Sequence, residues 1–295
     1  SLVTQARFAG VVTGAISYTY DNEFRVAALA VNGGNTAGYG FDADGLLTNA
    51  GLCIFSRTDA NGLVTGITAG AVVEAFNTGL LGEVTNRWAT YTGNGSNLYS
   101  AACQRDLLGR LTQSWEAISG ITNNLAYAYD PVGRLTRVAG GGFTNTYAYD
   151  NNGNRTSAVV RGQAMAGTYD AQDRLTADGG AIYRYNACGQ LTNRVENGTN
   201  TFYQYDEFAN LRRVILPSGV TNDYVVDGLS RRVALKVNGA FSKGWIYSAI
   251  LRPVAELDAS SNVVSVFVYG TRMNVPEYMI KGGQTYRLIC DPIDS

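Results

Sequence analysis

The stretch YAYDPVGRLT at residues 127–136 decides the fold, because the chain repeats it at an almost constant step. Residues 127–212 contain five copies, whose Asp-type positions are 130, 150, 170, 186 and 206. The steps between these positions are 20, 20, 16 and 20 residues. A fixed step of this size indicates a repeat architecture, in which each unit packs on its neighbours.

Each copy reads as one β-hairpin. Tyr127 and Tyr129 are two residues apart and therefore point to the same face of a strand. Asp130 suits the first position of a turn, and Gly133 supplies a left-handed backbone there. Pairs such as Asn197-Gly198 predict the tighter turn that joins one hairpin to the next. The pattern predicts an all-β chain of tandem β-hairpin repeats, with roughly 25 to 30 short antiparallel strands and almost no helix.

The residues that recur are assigned to the structural repeat, and they are Tyr127, Tyr129, Asp130, Gly133, Tyr147, Tyr149, Asp150, Gly153, Tyr183, Tyr185, Gly189, Tyr203, Tyr205 and Asp206. Tyr129 and its equivalents should form a ladder across successive hairpins. Equivalent residues are two strands apart, about 10 Å. The ladder therefore needs intervening side chains, for which the return strands offer Leu or Arg. The repeat glycines should have positive φ.

The repeat extends beyond these five copies. Eleven turn starts lie between residues 21 and 227, and the copies in residues 1–105 are degenerate. Beyond that point the spacing loosens, although strand-like runs continue, and the run from Ala69 to Phe76 is interpreted as strand. We therefore divide the chain into a repeat array over residues 1–226 and divergent repeats over residues 227–295.

Composition argues against most kinds of functional site. The chain has no histidine, which removes the commonest general base and metal ligand. Its four cysteines are far apart without Cys-x-x-Cys spacing, so no zinc site is expected. The net charge of −1 gives no electrostatic reason to expect nucleic acid, and no apolar run is long enough for a membrane span. We expect no catalytic, metal-binding or cofactor-binding residues and no cofactor.

The tandem motif resembles the YD-repeat, or Rhs, family. The resemblance covers essentially the whole chain and is strongest over residues 106–232, and residues 252–287 look like the entry to the Rhs-associated core of that family. It implies a long β-sheet that spirals into a hollow shell. In bacterial polymorphic toxins and Tc-toxin C components, such a shell encloses a C-terminal toxic domain; in teneurins it is part of an adhesion ectodomain. The resemblance implies a secreted or cell-surface, bacterial protein.

The C-terminal residues allow two alignments with that family. Asp291-Pro292-Ile293 is similar to the motif at which the family releases its toxin, although Asp294 stands where glycine is expected. Gly283 to Arg287 is similar to a hairpin that lies upstream of the cleavage region, and this alignment fits better. In neither alignment does a toxin domain fall within the chain.

The leading functional hypothesis is a non-catalytic shell segment that encloses, carries or displays a partner. The expected partners are proteins: the rest of a larger shell, an enclosed toxin, or other copies of the chain. The alternatives are a cell-surface adhesion or glycan-binding module, and a subunit of a self-assembling extracellular filament. Neither end of the array looks like a cap, so its edge strands should be covered by something else.

Overall fold

The computed structural model describes residues 1–291, and the side chains of all of these except Asn35 and Thr36. This part of the chain forms 28 strands and contains no helix. The strands are β1 (Gln5–Phe8), β2 (Gly14–Tyr20), β3 (Val26–Val31), β4 (Gly34–Phe41), β5 (Leu47–Ala50), β6 (Cys53–Arg57), β7 (Val64–Ala69), β8 (Val72–Thr78), β9 (Val84–Tyr91), β10 (Ser96–Arg105), β11 (Leu111–Ile118), β12 (Ile121–Tyr129), β13 (Leu135–Gly140), β14 (Phe143–Tyr149), β15 (Arg155–Val160), β16 (Gln163–Tyr169), β17 (Leu175–Asp178), β18 (Ala181–Tyr185), β19 (Leu191–Glu196), β20 (Thr199–Tyr205), β21 (Leu211–Ile215), β22 (Thr221–Val226), β23 (Arg232–Val237), β24 (Ala240–Ala249), β25 (Arg252–Leu257), β26 (Val263–Tyr269), β27 (Pro276–Lys281) and β28 (Gln284–Arg287).

Each strand pairs antiparallel with the next strand along the chain, from β1–β2 to β27–β28. The result is one continuous sheet. The all-β prediction and the predicted number of strands are confirmed. The run from Ala69 to Phe76, interpreted from the sequence as strand, contains the end of β7 and most of β8, with a turn between them that the interpretation did not include.

The hairpins that contain the Asp turn all carry a register shift beside the turn. In the β12–β13 pair, Tyr129 lies opposite Leu135 and Ala128 lies opposite Arg137, so that Thr136 is the extra residue. The same shift recurs at Tyr149, Tyr169, Tyr185 and Tyr205. A bulge bends its strand and increases local twist. Identical bulges in successive hairpins therefore curl the sheet in one direction.

The curled sheet stacks its two ends face to face. Ile16 and Val31 from β2–β3 share a buried core with Ile246 and Leu257 from β24–β25. A second core joins β6–β8 to β26–β27, where the Leu52 N–H donates to the Tyr278 hydroxyl over 3.3 Å. A third packs β9–β10 under the segment that follows β28. The first ten strands and the last six thus form two layers.

The middle of the sheet, β11–β22, is a single layer. Its buried apolar residues within the described chain are few, and they are Ala158, Ala181 and Val214. Burial alternates along its strands between half-buried and exposed positions, as in β14 and β20. We call the half-buried side the ladder face, because it carries the repeat tyrosines, and the other side the opposite face. Register places the ladder face in continuity with the packed faces of β8–β10.

The two rims of the sheet differ in chemistry. Turns that follow even-numbered strands form what we call the YD rim, which contains the Asp turns from Asp21 to Asp227. Turns that follow odd-numbered strands form the other rim, where two-residue glycine turns predominate. Large exposed apolar side chains on the YD rim are Phe24, Leu46, Leu80, Leu81, Leu107, Leu108, Val132, Phe208, Leu229, Ile250, Leu251 and Met273. On the other rim the exposed large apolar side chains are Val11, Ile118 and Ile121.

Candidate functional site

The repeat unit is built around the aspartate of its turn. The Asp130 carboxylate accepts the backbone N–H groups of Val132 and Arg134 at 3.1 and 2.8 Å, and the Arg134 Nε at 2.6 Å. The Gly133 N–H donates to the Asp130 carbonyl over 3.0 Å, which closes the turn. Gly133 has φ of 91°, the left-handed conformation that such a turn requires. One side chain thus satisfies the polar groups of its own turn.

The arginine of each unit reaches the next unit. The Arg134 guanidinium lies over the Tyr149 ring, 4.9 Å from its centroid, and its Nη1 donates to the Asp150 carbonyl over 2.7 Å. The Tyr149 hydroxyl donates back to the Leu135 carbonyl over 2.7 Å. Successive hairpins are therefore joined by a stacked cation, a charge-assisted hydrogen bond and a phenol hydrogen bond.

The stacking of an arginine on the aromatic ring of the next hairpin recurs along the sheet and forms a ladder. Equivalent guanidinium–aromatic pairs are Arg25–Phe41, Arg110–Tyr129, Arg134–Tyr149, Arg174–Tyr185, Arg231–Tyr247 and Arg252–Tyr269. Of the five copies in residues 127–212, three lack the arginine and have Asn154, Gln190 and Asn210 at its position. Asn154 still bridges units, because its Nδ2 donates to Asp150 at 3.0 Å and to Asp173 at 2.7 Å.

The repeat residues are spread over many strands of the sheet and do not converge on one pocket. Tyr129, Tyr149, Tyr185 and Tyr205 each occupy the last strand position before the turn. The second tyrosines, Tyr127, Tyr147, Tyr183 and Tyr203, lie two residues earlier on the same face. Among them, Tyr127 lies 3.0 Å from the Ser114 hydroxyl, and Arg194 lies over Tyr183 at 6.0 Å. The remaining repeat residues, Asp150, Asp206, Gly153 and Gly189, lie in the turns. The assignment of these residues as structural stays a prediction.

The turn carboxylates are held in their charged form. At Asp130, desolvation favours the neutral acid, but the Arg134 side chain and the backbone N–H groups outweigh it and lower the pKa. The pKa of Asp170 is lowered in the same way, first by the Arg174 side chain. Carboxyls with lowered pKa that are committed to turns are poor proton donors near neutral pH. Their arrangement suits holding a backbone better than acid–base chemistry.

The sequence did not reveal a cluster of buried charges that joins the two layers. Glu74 on β8 and Glu277 on β27 are 1% and 0% exposed. Arg287 binds both carboxylates, with its Nη2 at 2.5 Å from Glu74 and its Nη1 at 3.1 Å from Glu277. Arg272 reaches Glu277 over 3.1 Å, and Arg87 lies 3.9 Å from Glu74. Two acids and three arginines therefore connect β8–β9 to β27–β28.

The cluster also anchors the C-terminal segment. Arg87 donates to the carbonyls of Cys290 and Asp291, and Arg272 donates to the Cys290 Sγ over 2.7 Å. Burial raises the pKa of Glu74, and Arg287 counters that effect. The only signal in the sequence is a glutamate within the apolar run Val72-Val73-Glu74-Ala75-Phe76. Its closest partner, Arg287, lies 213 residues away, so this pairing could not be predicted from the sequence.

Other chemical sites are not apparent in residues 1–291. No group of three or more Cys, Asp or Glu side chains there could hold a metal ion. In the same residues, no helix is sufficiently long and apolar to cross a membrane. Asp291 is described, but Pro292 to Ser295, on which the comparison with the cleavage motif depends, lie outside the described residues.

A comparison with known proteins identifies a family whose model matches this chain. A family model described as "Teneurin YD-shell" matches residues 1–295. Human Teneurin-1 is 29% identical over 174 residues, which is 56% of this chain and 6% of that protein. Teneurin-1 of Gallus gallus is 28% identical over 173 residues, again 56% of this chain and 6% of that protein. The chain thus spans a small part of the relatives that it matches.

Solved structures share the fold. A crystal structure of TcdB2-TccC3 matches with a TM-score of 0.52 at 13% identity, over 95% of this chain and 20% of that chain. A structure of the Photorhabdus luminescens Tc holotoxin pore matches with a TM-score of 0.52 at 13% identity, over 86% of this chain and 17% of that chain. At this level of identity the likeness concerns the fold alone.

Proposed function

We propose that this chain, which belongs to the teneurin YD-shell family, is a structural section of a larger shell wall. In this proposal it is not an enzyme, and it contributes curvature and enclosure to the assembly. The observation that carries the proposal is the single-layered stretch β11–β22. A free-standing domain normally buries one face of a sheet against another layer. A wall that encloses something needs strength along the sheet and no filled core.

The chemistry of the repeat supports a mechanical role. The repeat's aspartates, arginines and tyrosines are engaged with each other and with backbone groups, within a turn or between neighbouring hairpins. These links lie in the plane of the wall, so they resist separation of one hairpin from the next. A sheet with a thin core is held by such links in place of interior packing.

The YD rim and the two edge strands supply surfaces for the remainder of the shell. Leu80, Leu81, Leu107 and Leu108 project from the YD rim with almost all of their surface exposed. The free sides of β1 and β28 offer unpaired backbone groups within the described chain. The matched TcdB2-TccC3 chain is about five times longer than the stretch that matches it. We propose that further sections of wall cover these surfaces, and that the protein is secreted or displayed at a cell surface.

Light scattering of the purified chain, combined with hydrogen exchange, tests this proposal. We expect self-association through the exposed rim and edges, with slow exchange in β1 and β28. A variant with Leu107→Ser and Leu108→Ser should associate less, whereas Ile118→Ser on the other rim should not change the mass. A strictly monomeric chain whose edge strands exchange freely would contradict the proposal. We further propose that such a shell encloses a partner, for example a toxin domain. This part of the proposal has to be tested on a longer protein that contains the whole shell.

A further inference from the structure

A pocket opens between the two layers of the molecule, where the first core meets the second. Strands β2–β5 form one side of it and β24–β26 form the other. It encloses about 320 Å³, which lies within the usual range for small-molecule sites. Its aromatic side chains are Tyr18, Tyr39, Phe41 and Tyr269, and among the described residues that line it only Arg252 is charged.

Arg252 occupies the arginine position of the repeat, but its unit lacks the aspartate. In the units that have both residues, the carboxylate pairs with the guanidinium four residues later at 2.6–2.7 Å, and these pairs are Asp21–Arg25, Asp106–Arg110, Asp130–Arg134, Asp170–Arg174 and Asp227–Arg231. Ser248 stands four residues before Arg252. Tyr247 lies opposite Pro253, which is the register that the regular copies have beside the turn. Ser248 therefore takes the aspartate position, and Arg252 is a repeat arginine without its carboxylate.

The guanidinium of Arg252 keeps unused donors at the pocket. Its Nε donates to the Met273 carbonyl, and its Cζ lies 5.6 Å from the centroid of the Tyr269 ring. Within residues 1–291, no Asp or Glu forms an ion pair with Arg252, and its Nη1 and Nη2 make no hydrogen bond. A guanidinium with two free nitrogens matches the two oxygens of a carboxylate.

Two phenols on the other side of the pocket add neutral donors. The hydroxyls of Tyr18 and Tyr39 make no hydrogen bond with any residue that the structure describes. Burial raises the pKa of Tyr39 to about 12, and Arg252 is near enough to oppose that rise. The Tyr39 hydroxyl therefore keeps its proton near neutral pH and can donate it to an anion. The pocket thus brings together one cation from β25 and two hydroxyl donors from β2 and β4.

We propose that this pocket binds a small aromatic monocarboxylate. The carboxylate of the ligand pairs with Arg252, as the turn aspartate does in the other units, and its ring packs against Tyr39, Phe41 and Tyr269. A single cation in an apolar pocket favours one negative charge over two, because a second charge would be buried without a partner. The bound ligand contacts both layers and therefore stabilises their stacking. The proposal does not depend on the shell function, because it concerns a seam within this chain.

Titration calorimetry and thermal unfolding of the intact chain test the proposal, with 2-naphthoate as the probe. We expect saturable binding at one site and a higher unfolding temperature when the probe is saturating. The neutral analogue 2-naphthalenemethanol should bind at least about tenfold more weakly, because it lacks the charge that pairs with Arg252. Decanoate has the carboxylate without the ring and should also bind more weakly. The proposal is overturned if 2-naphthoate does not bind, or if the alcohol or decanoate binds as tightly.

Substitutions at the ion pair separate binding from folding. Ser248→Asp supplies the carboxylate that the other units have, so it should abolish binding of 2-naphthoate and leave the chain at least as stable as the parent. Arg252→Met removes the charge but keeps an apolar side chain, and it should weaken binding by at least about tenfold. Arg232→Met is the matched control, because Arg232 lies over the Tyr224 ring at 4.2 Å and does not line the pocket. It should leave the affinity unchanged.

Two outcomes of these measurements contradict the proposal. One is binding of 2-naphthoate by both Ser248→Asp and Arg252→Met with the affinity of the parent, in chains whose circular dichroism spectra are unchanged. The other is a fall in the mass of the parent chain, measured by light scattering, when 2-naphthoate is added. That fall would show that another copy of the chain, and not a small carboxylate, occupies the pocket.

Discussion

At the scale of the residue, the two tyrosines of the copy at residues 147–149 differ in how their hydroxyls are bonded. The Tyr149 hydroxyl donates to the Leu135 carbonyl, and the same bond recurs at Tyr129 and Tyr185. The hydroxyl of Tyr147, two residues earlier on the same strand, has no hydrogen-bond partner within the described residues. The two tyrosines of this motif therefore differ in hydrogen bonding, although the sequence pattern does not distinguish them.

We therefore expect Tyr149→Phe to lower the free energy of unfolding by about 1 kcal/mol, the usual net value of one hydrogen bond. Tyr147→Phe is the matched control and should change it by less than about 0.5 kcal/mol. Tyr149→Ala also removes the ring that lies under Arg134, and should cost about 3 kcal/mol. Urea unfolding of the three variants measures these differences, and equal effects of the two Phe variants would contradict the hydrogen-bond assignment.

The turn carboxylates predict loss of stability in acid. Eight of them have a lowered pKa, and they are Asp21, Asp106, Asp130, Asp150, Asp170, Asp206, Asp227 and Asp258. A carboxyl whose pKa is lower in the folded state stabilises the fold fully above its unfolded value, about 3.9, and loses that contribution as pH falls through the folded value. Glu74, with a raised pKa, acts in the opposite direction but is a single group.

We expect the urea midpoint to fall steeply between about pH 4 and pH 2. Asn186 provides a natural control, because its side chain accepts the same two backbone N–H groups without titrating in this range. A variant with Asp130→Asn and Asp170→Asn should therefore keep its turns and show a shallower dependence on pH. An unchanged slope in that variant would show that other groups cause the acid unfolding.

At the scale of the element, the Asp turn imposes a left-handed residue whether or not it is glycine. Gly133 has φ of 91°, while Asp173, Ala209 and Ser230 occupy the equivalent position with φ of 59°, 65° and 60°. A side chain there carries a steric cost of about 1 kcal/mol. Repeats that lack the glycine therefore contain strain that repeats with the glycine avoid.

This predicts opposite effects from reciprocal substitutions. Gly133→Ala should destabilise the chain by about 1 kcal/mol, because an added Cβ would meet only Arg110 Nη1, at 4.0 Å, and the cost would come from the backbone conformation. Ala209→Gly should stabilise the chain by up to about 1 kcal/mol by relieving that cost. Thermal unfolding of both variants checks the pair. Destabilisation by Ala209→Gly would mean that the loss of side-chain contacts or backbone entropy dominates.

The hairpin was the unit that the sequence predicted well. Tyr-x-Tyr, Asp and Gly at fixed offsets have local causes, so strand, turn and step were readable from residue types alone. Arginine as the intervening group of the ladder was one of two options, and the structure places it there at Arg134, Arg174 and Arg231. The Leu216–Gly219 and Asp258–Ser261 turns on the other rim have the same backbone hydrogen bonds as the Asp turns. The sequence did not predict them, because the strands before them, β21 and β25, lack tyrosine.

What the sequence could not predict is contact between distant strands. The repeat bends the sheet at many bulges, so the overlap of β2–β10 with β23–β28 depends on the sum of these bends. The Glu74–Arg287 pair follows from that overlap.

At the scale of the whole molecule, the ion cluster links the two layers through buried charges. Glu277→Gln should lower the free energy of unfolding by about 3 to 5 kcal/mol, because it leaves buried arginines without their counter-charge. Glu256→Gln breaks the exposed pair with Lys243 and should cost at most about 1 kcal/mol. A loss at Glu277 as small as that at Glu256 would show that the cluster does not hold the layers together.

The division into two layers and a single wall also predicts uneven protection from hydrogen exchange. Local opening is easier where few apolar contacts are buried. Amides of β13–β20 should therefore exchange faster than those of β6–β8 and β25–β27, although all are hydrogen-bonded in the sheet. Mass spectrometry of peptides from the two regions measures the contrast, and uniform protection would argue against a thin wall.

The pairing of each strand with its sequence neighbour has a consequence for the timing of synthesis. Contacts that are local in sequence form early, so hairpins can assemble in the order in which they leave the ribosome. Glu74, however, cannot pair with Arg287 until the ribosome has added 213 more residues. At about 5 to 20 residues per second, that delay is about 10 to 40 s. During this interval the apolar residues of β2–β8 have been synthesised before all of the strands that cover them, so we expect this face to be the part of the nascent chain most prone to aggregation.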